Sequence, residues 1–367
     1  MVICFNDVTT TISMPYSLGF LASLLLAIIT LDLGQRILLG ITLIATIILG
    51  VVLTVWSERR IAAAIQHRVG PNRVGPFGLL QPFADVLKLL FKEDVTPAAA
   101  SRFYHLLAPM ISLFAALTTI AVVPFASGVV IADVSVGILY ILAITSIGVY
   151  GLTIAGWASG SKYSLLGGLR SSAQMISYEI AMGLSVVSVV LLADSTRMTD
   201  IVASQTSNPL YWNCWRNAIG FICFTVAAFA ECNRAPFDLP EAEQELVGGY
   251  NTEFGSMKFA TFFLAEYANM IVASAVIATL FLGGYQVPFV DESLGLPPLV
   301  LMLLQIGAFV VKTVFMVFVF IWVRWSVPRF KYNQLMDLGW RVLLPLALFN
   351  LLLIAIGVLV LGEKVTT

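Results

Sequence analysis

Long apolar runs separated by short polar breaks set the pattern of this chain. Runs of about 20 apolar residues, each enough to cross a bilayer as a helix, fall at Ile37–Trp56, Leu106–Phe125, Val136–Ala158 and Ala173–Ala193. Four more fall at Asn217–Pro236, Ala260–Gly283, Pro298–Val323 and Arg341–Leu361. A ninth candidate, Ser17–Leu31, is 15 residues long and ends beside Asp32. Its pattern admits an extra span, an interfacial helix, or the first half of a kinked entry to Ile37–Trp56. Gln81–Phe91 has a different period: Phe83, Val86, Leu87 and Leu90 recur at i, i+3, i+4 and i+7, with Asp85, Lys88 and Lys92 on the other side. Eleven residues cannot span a bilayer, so this predicts an amphipathic helix lying in the interface; a loop helix packed on the protein is the other reading. The expected fold is an all-α polytopic membrane protein with eight core transmembrane helices, a candidate ninth at the N-terminus and a short interfacial helix. Residues 37–361 form one membrane domain, preceded by an extension (1–36) and followed by a tail (362–367).

Composition agrees: 59% of the 367 residues are hydrophobic, above the share of a soluble domain. The first residues carry no Lys or Arg ahead of the apolar run, unlike a cleaved signal peptide. Of the 20 Lys and Arg residues, 15 fall in the loops Ser57–His105, Ser159–Ser172, Arg234–Phe259 and Arg324–Arg341. The positive-inside rule puts these loops on the cytoplasmic side, or the matrix side in a mitochondrion. All the long loops then share one face, which predicts a docking surface for soluble partners.

The chemistry is carried by carboxylates. Charged residues are 11% of the chain, yet Glu231, Asp238, Glu241, Glu243, Glu245 and Glu253 cluster between two apolar runs. Glu179 and Glu266 lie inside such runs. An ionisable group near hydrocarbon depth costs roughly 2.5–3.5 kcal/mol, so it usually marks an ion or proton path. A protonated or hydrogen-bonded structural acid is the alternative for Glu179, with Tyr178 as a partner, and a local ion pair with Arg234 is the alternative for Glu231. The prolines and apolar residues interleaved with the acids, Pro236, Phe237, Pro240 and Leu246 among them, argue for a folded loop over a solvated acidic tail. Lys312, inside the seventh run, is a counter-charge, a snorkelling residue or an ion-pair partner. Arg60 reads as an interfacial anchor, whereas Glu58 beside it adds nothing to such an anchor. The Gly-Pro pairs of Arg68–Gly78 predict a compact turn-rich loop, and the glycines of Trp157–Arg170 predict another loop. The four cysteines form no CxxC pair and there are two histidines, so neither iron–sulfur nor paired-histidine haem ligation is supplied. No phosphate-binding glycine motif or basic footprint points to nucleotides or nucleic acid.

The segments SERR (57–60), HRVGPNRVGPFGLLQPFADVLKLLFKED (67–94), GWASGSKYSLLGGLRSSAQMISYE (156–179), ECNRAPFDLPEAEQELVGGYNTEF (231–254), LAEYANM (264–270) and PRFKYNQLM (328–336) occur in this order. Together they resemble the H-type membrane subunits, the subunit 1 family of mitochondria, of proton-translocating NADH:quinone oxidoreductase, respiratory complex I. Phe254 departs from the tyrosine of many members. The resemblance implies a subunit at the junction of the peripheral and membrane arms, with quinone as substrate. FMN and iron–sulfur clusters would be held by partner subunits. It implies a relay through Glu179, Glu231, Glu241, Glu243, Glu245, Glu253 and Glu266, and a quinone chamber bordered by Glu58, Arg59, Asp85, Arg234, Phe237 and Asp238. Its entrance would lie near Ile37–Trp56, Ala260–Gly283 and Gln81–Phe91. Implied partners are the quinone-site and iron–sulfur subunits of the peripheral arm, small and antiporter-like membrane subunits, and lipid. The implied location is a bacterial inner membrane, with the mitochondrial inner membrane as alternative. A related hydrogenase complex, a stand-alone proton-coupled transporter and a purely structural anchor are the rival readings; no internal two-halves repeat favours the transporter.

Overall fold

A computed structural model describes residues 18–240, 245, 247–290 and 297–361. The chain divides into two units, Met1–Leu43 and Ile44–Thr367. The first contributes the beginning of α1 (Leu18–Ile65), and the backbone is helical throughout Leu18–Leu31, the candidate ninth element. The second holds the helical bundle. Its elements are α2 (Gln81–Phe91), α3 (Arg102–Thr119), α4 (Gly137–Ala158), α5 (Lys162–Ala193), the short α6 (Met198–Ala203) and α7 (Asn213–Arg216), and α8 (Ala218–Glu231). They continue with α9 (Ser256–Phe281), α10 (Pro298–Ser326), α11 (Tyr332–Asp337) and α12 (Leu344–Leu361). A π-helical turn, Leu338–Leu343, joins the last two.

Seven helical stretches among the described residues are long and apolar enough to cross a membrane: Gly40–Ile65, Arg102–Val122, Gly137–Ala158, Lys162–Ala193, Ser256–Phe281, Pro298–Ser326 and Tyr332–Val360. The expected span Asn217–Pro236 contains only the 14-residue helix α8. Asn217 caps it by accepting from the Gly220 amide, and Asn233, at φ 51°, turns the chain away two residues past its end. Within the bundle, α5 is central, packing on α4, α8 and α12, while α9 packs on α3 and α10.

Three boundaries differ from the sequence pattern. Helix α1 runs on to Ile65, so Ser57–Arg60 are helical. The final membrane helix starts at Tyr332, and the π turn sets Gly339 against Tyr178. Helix α5 begins at Lys162, making the glycine-rich stretch helical rather than a loop. Its glycines serve close approach: a Cβ on Gly167 would lie 2.8 Å from Gly249 Cα, and one on Gly168 would lie 3.2 Å from Gly156 Cα. Small residues let membrane helices approach backbone to backbone. Gly167→Ala should therefore destabilise by about 1–3 kcal/mol. Gly183→Ala on the same helix meets nothing within 4 Å and should be neutral. Thermal unfolding of the two detergent-solubilised variants checks the contrast.

Polar groups inside the bundle are satisfied across helices. Asn217 and Asn350 both donate to Ser188 Oγ, at 2.6 and 3.2 Å. Among the described residues, Lys312 meets carbonyls rather than an acid: its Nζ donates to Gly284 and Gln286 at 2.9 and 2.7 Å, and it sits 4.1 Å from the Trp212 ring centroid. Carbonyl oxygens and an aromatic face offset the desolvation of this ammonium.

Candidate functional site

Glu58 is fixed on the last turns of α1, and α9 presents Glu266 and Tyr267 from adjacent positions. The segment after α8 brings Arg234 between them. Arg234 and Glu58 are 2% and 5% exposed, so these charges are removed from water. Arg234 Nε lies 2.6 Å from Glu266 Oε1, and Nη1 lies 3.5 Å from Glu58 Oε2. Tyr267 donates to Glu58 Oε2 at 2.8 Å while its ring centroid lies 3.9 Å from the guanidinium carbon. Arg324, near the end of α10, donates to the other Glu58 oxygen at 2.5 Å. Buried charge is tolerated only when paired and hydrogen-bonded, and here each carboxylate faces a guanidinium. Arg234 thus reaches long-range partners and not its neighbour Glu231.

Glu231, freed from that pairing, lies where three cavities meet. The first is lined also by Ser146 and Glu179, the second by Asn233, Glu266 and Asn269, and the third, mostly apolar, by Ile141, Val186, Phe224 and Val276. The second measures about 40 Å³, room for a few water molecules. Glu179, half-buried on α5, accepts a hydrogen bond from Ser146 on α4. Tyr178 does not serve Glu179; its hydroxyl donates to the Leu335 carbonyl at 2.8 Å. The carboxylates of Glu179, Glu231, Glu266 and Glu58 therefore succeed one another through shared cavity walls and the Arg234 pairing.

The other sequence-selected residues that the structure describes have different partners. Arg59 and Asp85 form a 2.6 Å ion pair between α1 and α2, with side chains 43% and 34% exposed. Helix α2 has the predicted bounds and leaves Phe83, Val86, Leu87 and Leu90 exposed. Ser256 anchors its end by donating to the carbonyls of Leu89 and Lys92. Phe237 is buried edge-on to Tyr178, with centroids 5.5 Å apart, and Asp238 pairs with Arg329. Glu245 pairs with Arg170 at 2.7 Å on the surface. Glu253 is half-buried beside Phe254, whose ring stacks on His105 with centroids 4.0 Å apart. Glu241 and Glu243 lie outside the described residues. Arg60, read as an anchor, is exposed and lies over Trp56 and Phe77, 5.3 and 5.7 Å from their centroids. Sequence reasoning missed Tyr267, Arg324 and Ser146. Tyr267 adjoins Glu266, which was a usable signal, whereas Arg324 had none beyond its charge.

The sequence model of the NADH dehydrogenase family matches residues 38–355. The NADH-quinone oxidoreductase subunit 8 of Rhodothermus marinus is 60% identical over 328 residues, covering 88% of this chain and 96% of the relative. The H subunit of the Salinibacter ruber NADH-quinone oxidoreductase is 57% identical over 326 residues, with 87% and 94% covered. Its counterpart in the Rickettsia bellii enzyme is 51% identical over 309 residues, with 84% and 89% covered.

Proposed function

We propose, since the chain belongs to the NADH dehydrogenase family, that it is the membrane subunit of an NADH-quinone oxidoreductase that borders the quinone chamber and couples quinone reduction to proton translocation. One observation carries this reading: Glu58 and Glu266 share Arg234, and cavities continue the series through Glu231 to Glu179. A change of charge at Glu58 or Glu266 alters the field of Arg234 and the protonation balance of the next acid, because close carboxylates titrate together. Quinone reduction with its proton uptake supplies such a change at the chamber side. Electrons reach the quinone from flavin and iron–sulfur centres in partner subunits, and antiporter-like membrane subunits receive the signal. Phe237 and Asp238 border the chamber side in this reading, while Glu241, Glu243, Glu245 and Glu253 belong to the loop that faces the peripheral arm. The protein resides in a bacterial inner membrane.

The exposed apolar stripe of α2 supports a quinone entrance between this helix, α1 and α9. A photoreactive quinone analogue bound to the whole complex should crosslink to α2 or to the neighbouring faces of α1 and α9, as read by peptide mapping. Crosslinks confined to the loops 120–136 and 194–217 would overturn this entrance.

A further inference from the structure

Gln174 lies on α5, fully buried and five residues before Glu179. Its Nε2 donates to the carbonyl of Ala230 and to that of Phe237, each at 2.8 Å. It also lies 3.5 Å from Asn233 Oδ1. The two carbonyls stand at opposite ends of the turn that carries both Glu231 and Arg234. A side-chain amide has two N–H donors, and here each serves one end of the turn. The opposite amide orientation would set Oε1 against two carbonyl oxygens, so the network fixes the assignment. In the observed orientation Gln174 Oε1 is buried with no hydrogen-bond partner among the described residues. A buried acceptor left unmatched is unfavourable, and an apolar side chain of equal volume would avoid it. The role that offsets this penalty is donation to the turn.

What the turn holds gives the donation its consequence. Glu231, at its start, faces the cavity of Glu179, and Arg234, at its middle, holds Glu58 and Glu266. Gln174 and Glu179 ride on one helix, so a single amide ties the spacing of both ends to α5. Asn233, in the left-handed region at φ 51°, lies between them, and the turn's own backbone hydrogen bonds run from the Asn233 amide to the Ala230 carbonyl at 3.3 Å and from the Phe237 amide to the Arg234 carbonyl at 2.8 Å. We propose that Gln174 is a positioning residue that keeps Glu231 and Arg234 in register between Glu179 and Glu58, and so secures that each quinone reduction is transmitted. The proposal rests on the coupling role given above.

The test uses the whole complex, reconstituted into liposomes, with Gln174→Met, Gln174→Glu and Gln174→Asn. Methionine keeps the volume without donors, glutamate, kept neutral by burial against carbonyl oxygens, keeps the shape with one donor in place of two, and asparagine keeps the amide on a shorter stem. NADH oxidation per assembled complex and protons translocated per NADH are both measured. With every carboxylate still present but misplaced, protons per NADH should fall by roughly half or more in the methionine variant, because small misplacements impair transfer strongly. Asparagine and glutamate should give intermediate values. An unchanged stoichiometry in assembled Gln174→Met complex overturns the proposal, even with less complex assembled, since that is the behaviour of a packing residue. If the methionine variant does not assemble, an unchanged stoichiometry in the asparagine variant overturns it equally. Glu231→Gln, measured in parallel, judges the coupling role on its own. Full turnover and proton translocation per assembled complex there remove the relay, whereas their joint loss there with normal Gln174→Met stoichiometry removes only the positioning role.

Discussion

Replacing Arg234 with methionine is expected to lower stability by about 3–5 kcal/mol, the usual consequence of breaking a buried ion pair from one side. The guanidinium is 2% exposed and serves Glu266 at 2.6 Å, Glu58 at 3.5 Å and the face of Tyr267. Its loss leaves Glu58, among the described residues, with Arg324 and Tyr267 and removes the 2.6 Å cation from Glu266. Arg234→Lys should recover only part of the effect. A lysine is a point charge on a flexible stem and cannot reach two carboxylates while stacking on a ring. The surface pair gives the scale for comparison: Arg59→Met breaks the contact with Asp85, whose partners are both substantially exposed, and should change stability by about 1 kcal/mol or less. Thermal unfolding and the yield of assembled complex read both. Wild-type stability in Arg234→Met would show that Glu58 and Glu266 do not depend on it.

Glu179→Gln and Glu231→Gln are expected to leave the complex assembled while reducing its work. Glutamine keeps the shape and an acceptor oxygen, so Ser146 retains a partner at position 179, but a titratable site is lost. NADH:quinone turnover and proton translocation per assembled complex should fall together, by roughly ten-fold or more, since a positioned proton-transfer group typically contributes at least that much. Less assembled complex with normal turnover per unit would instead assign the two acids to packing. Full coupled activity in both variants would reject the relay. Glu245, paired with Arg170 on the surface, is the comparison residue: its replacement by glutamine should have a far smaller effect.

The reach of local pattern is clear at α2. Its four apolar residues, at helical spacing with charges opposite, gave both the element and its bounds, because 3.6-residue periodicity is a property of the backbone and needs no tertiary context. Glu58 was legible for a related reason: a carboxylate beside arginines at a membrane boundary has no anchoring use, and it is buried. The glycine-rich start of α5 misled for the opposite reason. Glycine is a poor helix former in isolation, yet Gly156, Gly167 and Gly168 are helical because neighbouring backbones approach where a Cβ would stand.

By itself the sequence determined the membrane-spanning character, the bounds of α2 and the acids of interest, since each follows from hydropathy, charge or period read over a few turns. Only the tertiary structure decided which of those acids belong together. Glu58 meets Arg234 across 176 positions, Tyr267 across 209 and Arg324 across 266. The adjacent-looking pair of Glu231 and Arg234 is split, one side chain toward the Glu179 cavity and the other toward Glu58 and Glu266. Separations of that size follow no period. They are set by helix packing, in which buried charges take whichever partners close contact allows.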